Sequence, residues 1–195
     1  MCHESVLKYG RENLNKEEVE GKKVLEVGSL NINGGLREYV ESLKPASYTG
    51  IDIRPGPGVD IQCSAGNLLQ QFKDEKFDLV ICTETLEHIR DWKKAVSNIK
   101  RICKENGVIL ITVRSFGFPV HNEPDDYWRF EEGDMLSIFC DFDILVLEKD
   151  SQVPGVFIKI KNSREEHDKE EWKLLPKVDL SDFELFSIKE NKRIK

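Results

Sequence analysis

Apolar residues occur along the chain in short runs that alternate with segments of helical spacing. The runs 77–82 and 108–113 are almost continuously apolar, as is typical of parallel strands that helices cover on both faces. Shorter β-rich runs precede them at 24–27, 47–52 and 59–62. Between the two central runs, apolar residues recur three and four positions apart over 92–102, and this spacing predicts a helix.

The ends of this helix and the remaining elements follow from local signals. Asp91 is the predicted N-cap, and Asn106 with Gly107 is the predicted C-terminal stop. Further helices are predicted at 6–14, 35–42 and 135–139. Runs at 142–147 and 156–160 alternate at period two around a Pro-Gly pair, which predicts an antiparallel hairpin. The pattern therefore predicts an α/β fold: a doubly wound, mostly parallel seven-stranded sheet with a terminal antiparallel β-hairpin.

Composition divides the 195 residues into three parts. Residues 1–20 form a predicted amino-terminal helical cap, and residues 21–162 hold the predicted strands and the remaining helices, which form one domain. From 163 to 195 the chain is dense in both charge signs with isolated apolar residues, so we expect a charged carboxy-terminal extension. A chain of this length is long enough for one domain with a sizeable core.

The net charge narrows the classes of binding partner, and the cysteine content narrows the kinds of structural site. The formal net charge is −7, so the overall field repels phosphate backbones and anionic membrane surfaces. No apolar run reaches membrane-spanning length, and residues 1–21 show no secretory signal, so we expect a cytoplasmic protein. Five widely spaced cysteines argue against a disulfide framework and a zinc site. We expect a small-molecule partner, no nucleic acid and no membrane; oligomeric state is left open.

Candidate chemistry lies after the strands, because ligands of doubly wound sheets bind beyond the carboxyl ends of the strands. Glu26 and Gly28 end the first strand, but a dinucleotide fingerprint would need glycines where Leu30 and Asn33 stand. This loop suits a ligand that joins an amino acid to a nucleoside without phosphate. Asp52 follows the second strand at the offset where an acid binds ribose hydroxyls; its alternative is a turn-forming role.

Four ordered motifs resemble the class I S-adenosylmethionine-dependent methyltransferases of the small-molecule subgroup. They are the Val-Leu-Glu-Val-Gly segment with Gly34, the acid Asp52, the run 77–80 with Leu-Glu-His at 86–88, and the run 107–110. The resemblance covers about 21–161 and implies S-adenosylmethionine as cofactor and S-adenosylhomocysteine as product. It implies these cofactor-binding residues: Glu26, Gly28, Ser29, Gly34, Asp52, Ile53, Ser64, Ala65, Thr83, Glu84 and His88. The family often has Asp-Ala where this chain has Ser64-Ala65, so the resemblance implies that Ser64 or Asn67 replaces the hydrogen bond to the adenine amino group.

The acceptor side is predicted from His88 and the loop 116–130, which mixes aromatic, acidic and basic residues. His121 is the preferred general base, because a neutral imidazole accepts a proton near physiological pH. Asp126 and Arg129, together with His88, complete the predicted catalytic set. The alternative is an ordered loop in which Arg129 forms an ion pair.

A metal site is the alternative to metal-free transfer. Glu84, Glu87 and His88 share one face at spacing i, i+3, i+4, and with His121 they resemble the magnesium site of certain ubiquinone-pathway and small-RNA O-methyltransferases. Magnesium sites seldom favour imidazole, so we expect no metal.

The sequence thus predicts methyl transfer from S-adenosylmethionine to a small-molecule acceptor, such as a sugar or another metabolite with a hydroxyl or amine. Two alternatives stay open: a module that binds S-adenosylmethionine without catalysis and acts through a partner, and an RNA O-methyltransferase. The net charge and the absence of a Lys/Arg cluster near the predicted acceptor loop disfavour the RNA alternative.

Overall fold

The computed structural model describes residues 3–121, 125–163, 185–187 and 192–194. The helices are α1 Glu4–Asn13, α2 Lys16–Val19, α3 Arg37–Ser42, α4 Leu68–Phe72, α5 Trp92–Ile102 and α6 Glu132–Ile138. The strands are β1 Lys23–Val27, β2 Ser47–Asp52, β3 Ile61–Gln62, β4 Phe77–Thr83, β5 Cys103–Arg114, β6 Trp128–Arg129, β7 Asp143–Lys149, β8 Gly155–Lys161, β9 Leu185–Ser187 and β10 Lys192–Ile194.

Seven of these strands form one sheet in the order β3-β2-β1-β4-β5-β8-β7. The first five are mutually parallel, β8 runs antiparallel to β5, and β7 runs antiparallel to β8, so the predicted fold class is confirmed. The strands β6, β9 and β10 form a second, small antiparallel sheet, which the sequence pattern did not predict.

Helices cover both faces of the large sheet, because its central strands present apolar side chains on both sides. Leu25 and Val80 face the layer that contains α4, α5 and α6. Val24 and Leu79, their neighbours along the strands, face the layer that contains α1, α2 and α3. This alternation is the two-residue period of a strand, and it places the core on both sides of β1, β4 and β5.

The predicted helix 92–102 is confirmed, and the Asp91 carboxylate caps it by accepting from the backbone N–H of Lys94. The predicted stop at Asn106 and Gly107 is wrong. The helix ends at Ile102 and β5 begins at Cys103, which pairs with Phe77 of β4. The register between β4 and β5 shifts between Cys103 and Val108, and Asn106 lies in this irregularity with a positive φ of 58°, so its turn signal bends the strand instead of ending the helix.

The connection between β2 and β3 contains no helix. Among the described residues, no helix is long and apolar enough to span a membrane. Cys82 and Cys103 are buried and free, so they pack as small apolar side chains.

Candidate functional site

An open cleft of about 370 Å³ lies at the carboxyl ends of β1, β2 and β4. Parallel strands end together at this edge, so the segments that follow them converge. Nine of the predicted cofactor-binding residues line the cleft: Gly28, Gly34, Asp52, Ile53, Ser64, Ala65, Thr83, Glu84 and His88. We call it the main cleft.

The other two, Glu26 and Ser29, line a small adjoining cavity that shares Gly28, Leu30, Gly34 and Thr83 with the main cleft. The Glu26 carboxylate is 5% exposed and accepts a 2.8 Å hydrogen bond from the Tyr48 hydroxyl. Burial raises the pKa of Glu26 to about 7. This end of the site therefore offers an acidic group that a ligand cation would stabilise.

Gly28 lies in the turn after β1 and lines the main cleft. Its φ is 81°, and a Cβ atom at this position would lie 2.0 Å from the Thr85 hydroxyl oxygen. The backbone N–H of Gly28 donates to the carbonyl of Ile51 at 2.8 Å, which fixes the turn against β2. Only glycine fits here, because the left-handed backbone and the close approach of Thr85 each exclude a side chain.

Asp52 ends β2 on the wall of the main cleft. Its Oδ1 accepts from the backbone N–H of Arg54 at 2.9 Å, so the turn-forming role expected of it is present. A carboxylate has about four acceptor positions, so capacity remains for ligand hydroxyls.

Two apolar side chains, Ile32 and Ile53, also line the main cleft, and each residue is 53% exposed. Exposed isoleucines at a cleft offer apolar contact to a planar ring. The Ser64 hydroxyl accepts from the backbone N–H of Gly66 at 3.2 Å. Asn67, the other residue expected near an adenine amino group, is not among the lining residues.

The two predicted histidines contact each other beside the main cleft, which His88 lines. The rings of His88 and His121 pack edge to face with their centroids 4.8 Å apart. Nδ1 of His88 contacts the carbonyl of Asp125, and burial lowers the pKa of His88. Nδ1 of His121 lies 3.0 Å from an Asp126 carboxylate oxygen, which raises the pKa of His121.

Asp126 and Arg129 fix the loop that carries His121. Arg129 is buried, and its guanidinium forms a two-point ion pair with Asp126. It also donates to the carbonyls of Phe118 and Pro119. The expected ion pair is thus present, while direct acceptor contact by Arg129 stays a prediction. Asp126, His121 and Arg129 do not line the main cleft, but His88 does.

Glu87 is fully buried, and neither carboxylate oxygen has a hydrogen-bond partner among the described residues. Ligand atoms of Glu87, His88 and His121 lie within 4.8 Å of one another. Glu84, the fourth residue of the metal alternative, is not in this cluster; its carboxylate binds Thr112 and Arg114. Burial raises the pKa of both Glu84 and Glu87, and the nearby charge of Glu87 raises the pKa of Glu84 further.

Several lining residues were not predicted for the cofactor: Leu30, Ile32, Asn33, Arg54, Thr85, Ile89, Arg90, Asp125 and Tyr127. Most lie within two positions of a predicted residue in the chain, so a prediction that extended each predicted loop by two residues would have included them. Arg114 was missed as well. Its signal was a charged residue directly after the apolar run 108–113.

Comparison with known proteins gives the same fold. The family described as "Methyltransferase domain" matches residues 25–111. The chain is 35% identical over 107 residues to phthiotriol/phenolphthiotriol dimycocerosates methyltransferase 1 of Mycobacterium ulcerans, covering 49% of this chain and 38% of that protein. It is 32% identical over 105 residues to a ubiquinone biosynthesis O-methyltransferase of Idiomarina loihiensis, covering 47% of this chain and 42% of that one. The chain thus spans less than half the length of these relatives.

Among solved structures, 1,6-didemethyltoxoflavin-N1-methyltransferase of Burkholderia thailandensis, with 1,6-didemethyltoxoflavin and S-adenosylhomocysteine bound, matches with a TM-score of 0.65. The alignment covers 81% of this chain and 78% of that chain at 13% identity. At this identity the match concerns the fold.

Proposed function

We propose that the chain is a class I S-adenosylmethionine-dependent methyltransferase and that it transfers a methyl group from S-adenosylmethionine to a hydroxyl or amine of a small molecule; the match of residues 25–111 to the methyltransferase-domain family and the order of the sheet support this. The family's cofactor is S-adenosylmethionine. One observation carries the proposal: Asp52 and His88 both line the main cleft, and the ring of His121 packs against the ring of His88. We also propose a cytoplasmic location, on the sequence reasoning alone.

The donor's two ends match the two ends of the site. Asp52 binds the ribose hydroxyls, and Ile32 and Ile53 pack on the base. Glu26 lies near the donor's amino-acid end, where an ammonium group compensates its buried carboxylate. Thr83 and Glu84 flank the part of the donor that faces His88 and His121.

S-adenosylmethionine supplies a methyl group on a sulfonium, which is electrophilic without further activation. The task of the protein is to align the acceptor and to remove its proton. His121 is the proposed base: Nδ1 faces Asp126, so Nε2 accepts the proton as the acceptor forms its bond to the methyl carbon. Asp126 stabilises the resulting imidazolium, and Arg129 holds Asp126 in place.

The donor assignment has a direct binding test. S-adenosylmethionine and S-adenosylhomocysteine should each raise the melting temperature of the protein by mass action. Asp52→Ala should weaken S-adenosylhomocysteine binding about tenfold or more, while Asp74→Ala at an exposed turn should leave it unchanged. Stabilisation by NAD, with none by the two adenosyl ligands, would overturn the assignment.

A divalent cation at Glu87, His88 and His121 is the second candidate. The observation that favours it is the buried Glu87 carboxylate, which has no hydrogen-bond partner among the described residues. One carboxylate with two imidazoles fits zinc, manganese or iron better than magnesium. A cation there would orient a chelating acceptor hydroxyl and lower its pKa.

The metal-free reaction and the cation-dependent reaction differ in two measurements. Activity that persists in a chelator, with no metal in the purified protein by elemental analysis, supports the metal-free reaction. Stoichiometric metal that Glu87→Gln abolishes supports the cation.

The acceptor is to be found by a screen of purified protein that measures S-adenosylhomocysteine formation. Sugars and other metabolites with hydroxyl or amine groups are the proposed class. If no acceptor reacts and the donor-bound protein captures a stable protein partner, the non-catalytic module becomes the better description. Methylation of RNA in the same screen would favour the third alternative, against a net charge of −7.

A further inference from the structure

Arg114 is a buried cation that the proposed reaction does not use. It is the last residue of β5, and its side chain is 0% exposed. Its Nε donates to the Glu84 carboxylate, and its Nη1 lies 3.0 Å from Oδ2 of Asp150. A buried guanidinium is tolerated only where such partners compensate its charge. Arg114 therefore joins two carboxylates that belong to different elements.

The first partner, Glu84, is part of the wall of the main cleft. It follows β4 directly and has a φ of 50°, a left-handed conformation that side chains disfavour. Its N–H donates to the Thr112 carbonyl at 2.9 Å, and its carboxylate accepts from the Thr112 hydroxyl at 2.9 Å. Such a conformation persists only where neighbouring contacts fix it, and Arg114 supplies one of them.

The second partner, Asp150, leads to the amino-terminal helix. It follows β7, and its Oδ2 accepts a 2.8 Å hydrogen bond from the hydroxyl of Ser5 in α1. Ser5 does not line the main cleft. The path from Ser5 through Asp150 and Arg114 to Glu84 consists entirely of buried side chains.

Helix α1 also reaches the acceptor loop near the same arginine. His3, its N-cap residue, packs edge to face on Phe118 with centroids 5.5 Å apart. The Phe118 ring in turn lies 4.7 Å from the guanidinium carbon of Arg114 and 5.2 Å from the His121 ring. Arg114 therefore lies where the cleft wall, α1 and the acceptor loop meet.

We propose that Arg114 is a positioning residue: it holds the left-handed Glu84 turn of the donor cleft and ties that turn, through Asp150 and Ser5, to helix α1. Consequently, donor binding depends on a helix that does not line the main cleft. This inference rests on the proposed function, since the role of the cleft as donor site belongs to that proposal.

The test is a double-mutant cycle between Ser5 and Arg114, read as the dissociation constant of S-adenosylhomocysteine by calorimetry. Ser5→Ala should weaken binding about fivefold in the wild-type background and have no further effect in Arg114→Met. Arg114→Met should weaken binding about tenfold or more, and Arg114→Lys, which keeps the charge, should recover part of this loss.

Lys100→Met is the matched control. Lys100 is another buried cation with a carboxylate partner, Asp141 at 2.7 Å, but it does not line the main cleft. This variant should lower the melting temperature and leave the dissociation constant unchanged, which separates lost stability from lost positioning.

Additive effects of Ser5→Ala and Arg114→Met on binding would overturn the proposal. So would an Arg114→Met protein that is less stable but binds S-adenosylhomocysteine like the wild type. If Arg114→Met does not fold, Arg114→Lys serves as the second background with the same expectation of non-additivity. Absence of binding by the wild-type protein contradicts the proposed function itself, whereas binding with additive variants contradicts only the role of Arg114.

Discussion

Glu26 is a residue where binding and stability are in conflict. Its carboxyl is buried, and burial raises its pKa from 4.5 to about 7. The folded state therefore favours the neutral acid, and this contribution to stability is complete below about pH 4.5 and is lost as the pH rises to about 7. Without a bound cation, the ionised carboxylate destabilises the protein above neutrality.

Glu26→Gln should therefore stabilise the unliganded protein at pH 8 by on the order of 1–3 kcal/mol relative to its effect at pH 4.5. Glutamine keeps an acceptor for the Tyr48 hydroxyl, so the packing is retained. The same change should weaken S-adenosylhomocysteine binding, because the donor's ammonium loses its counter-charge. Urea unfolding at both pH values and calorimetry measure the two effects; equal stability differences at the two pH values would contradict this account.

His121 gives the second prediction at this scale. Asp126 raises its pKa, and a general base must be neutral, so turnover should rise as the pH increases through the His121 pKa, above 6.5. Asp126→Asn removes the counter-charge and should move this rise to lower pH. His121→Ala should lower turnover about tenfold or more with little change in donor affinity. NMR titration of the His121 ring, with and without Asp126→Asn, checks the pKa itself; a ring that titrates identically in both proteins would count against the pairing.

At the scale of elements, the turn after β1 gives the third prediction. Gly28 and Gly21 both have positive φ, 81° and 69°, but only a Cβ at Gly28 meets another side chain. Gly21→Ala should cost about 1 kcal/mol from backbone strain alone. Gly28→Ala should cost about 1–3 kcal/mol more, because of the collision with Thr85, and should weaken donor binding. Denaturant unfolding of both variants measures the difference; equal costs would show that Thr85 moves aside.

Elements with a strong apolar pattern could be predicted from the sequence, and those fixed by distant pairing could not. The runs 77–82 and 108–113 lie at the sheet's centre because both of their faces are apolar. The start of β5 at Cys103 depends on pairing with β4, and the two-residue β6 depends on pairing with β9 from the far end of the chain. The local sequence of a strand does not show which distant strand it pairs with.

The same division holds in the candidate site. Gly28 and Asp52 lie at the carboxyl ends of strands. Their motifs therefore predicted where they lie, and both line the main cleft. The partners Tyr48 of Glu26 and Arg114 of Glu84 could not, because each comes from another strand. Sequence spacing put Glu84 and Glu87 in one cluster, whereas the left-handed turn at Glu84 directs its carboxylate to β5 instead.

At the scale of the whole molecule, the amino-terminal segment is part of the core. Four of its apolar residues are at most 2% exposed and pack over one face of the sheet: Val6, Tyr9, Leu14 and Val19. Lys159 of β8 adds a 2.7 Å hydrogen bond to the Asn13 carbonyl and an ion pair with Glu18. The predicted division at residue 20 therefore separates segments that share a single hydrophobic cluster.

Deletion of residues 1–20 should therefore abolish cooperative unfolding rather than release a trimmed, stable domain. Burying four such side chains contributes about 1.5–3 kcal/mol each, which together is comparable to the total stability of an ordinary domain. The control is the double change Lys8→Ala with Glu12→Ala on the exposed side of α1, which removes only a solvent-exposed ion pair and should cost less than about 1 kcal/mol. Differential scanning calorimetry of both proteins measures the effect. A sharp transition of the protein that lacks residues 1–20, within a few degrees of the wild type, would mean that this face of the sheet is stable without the amino-terminal helices.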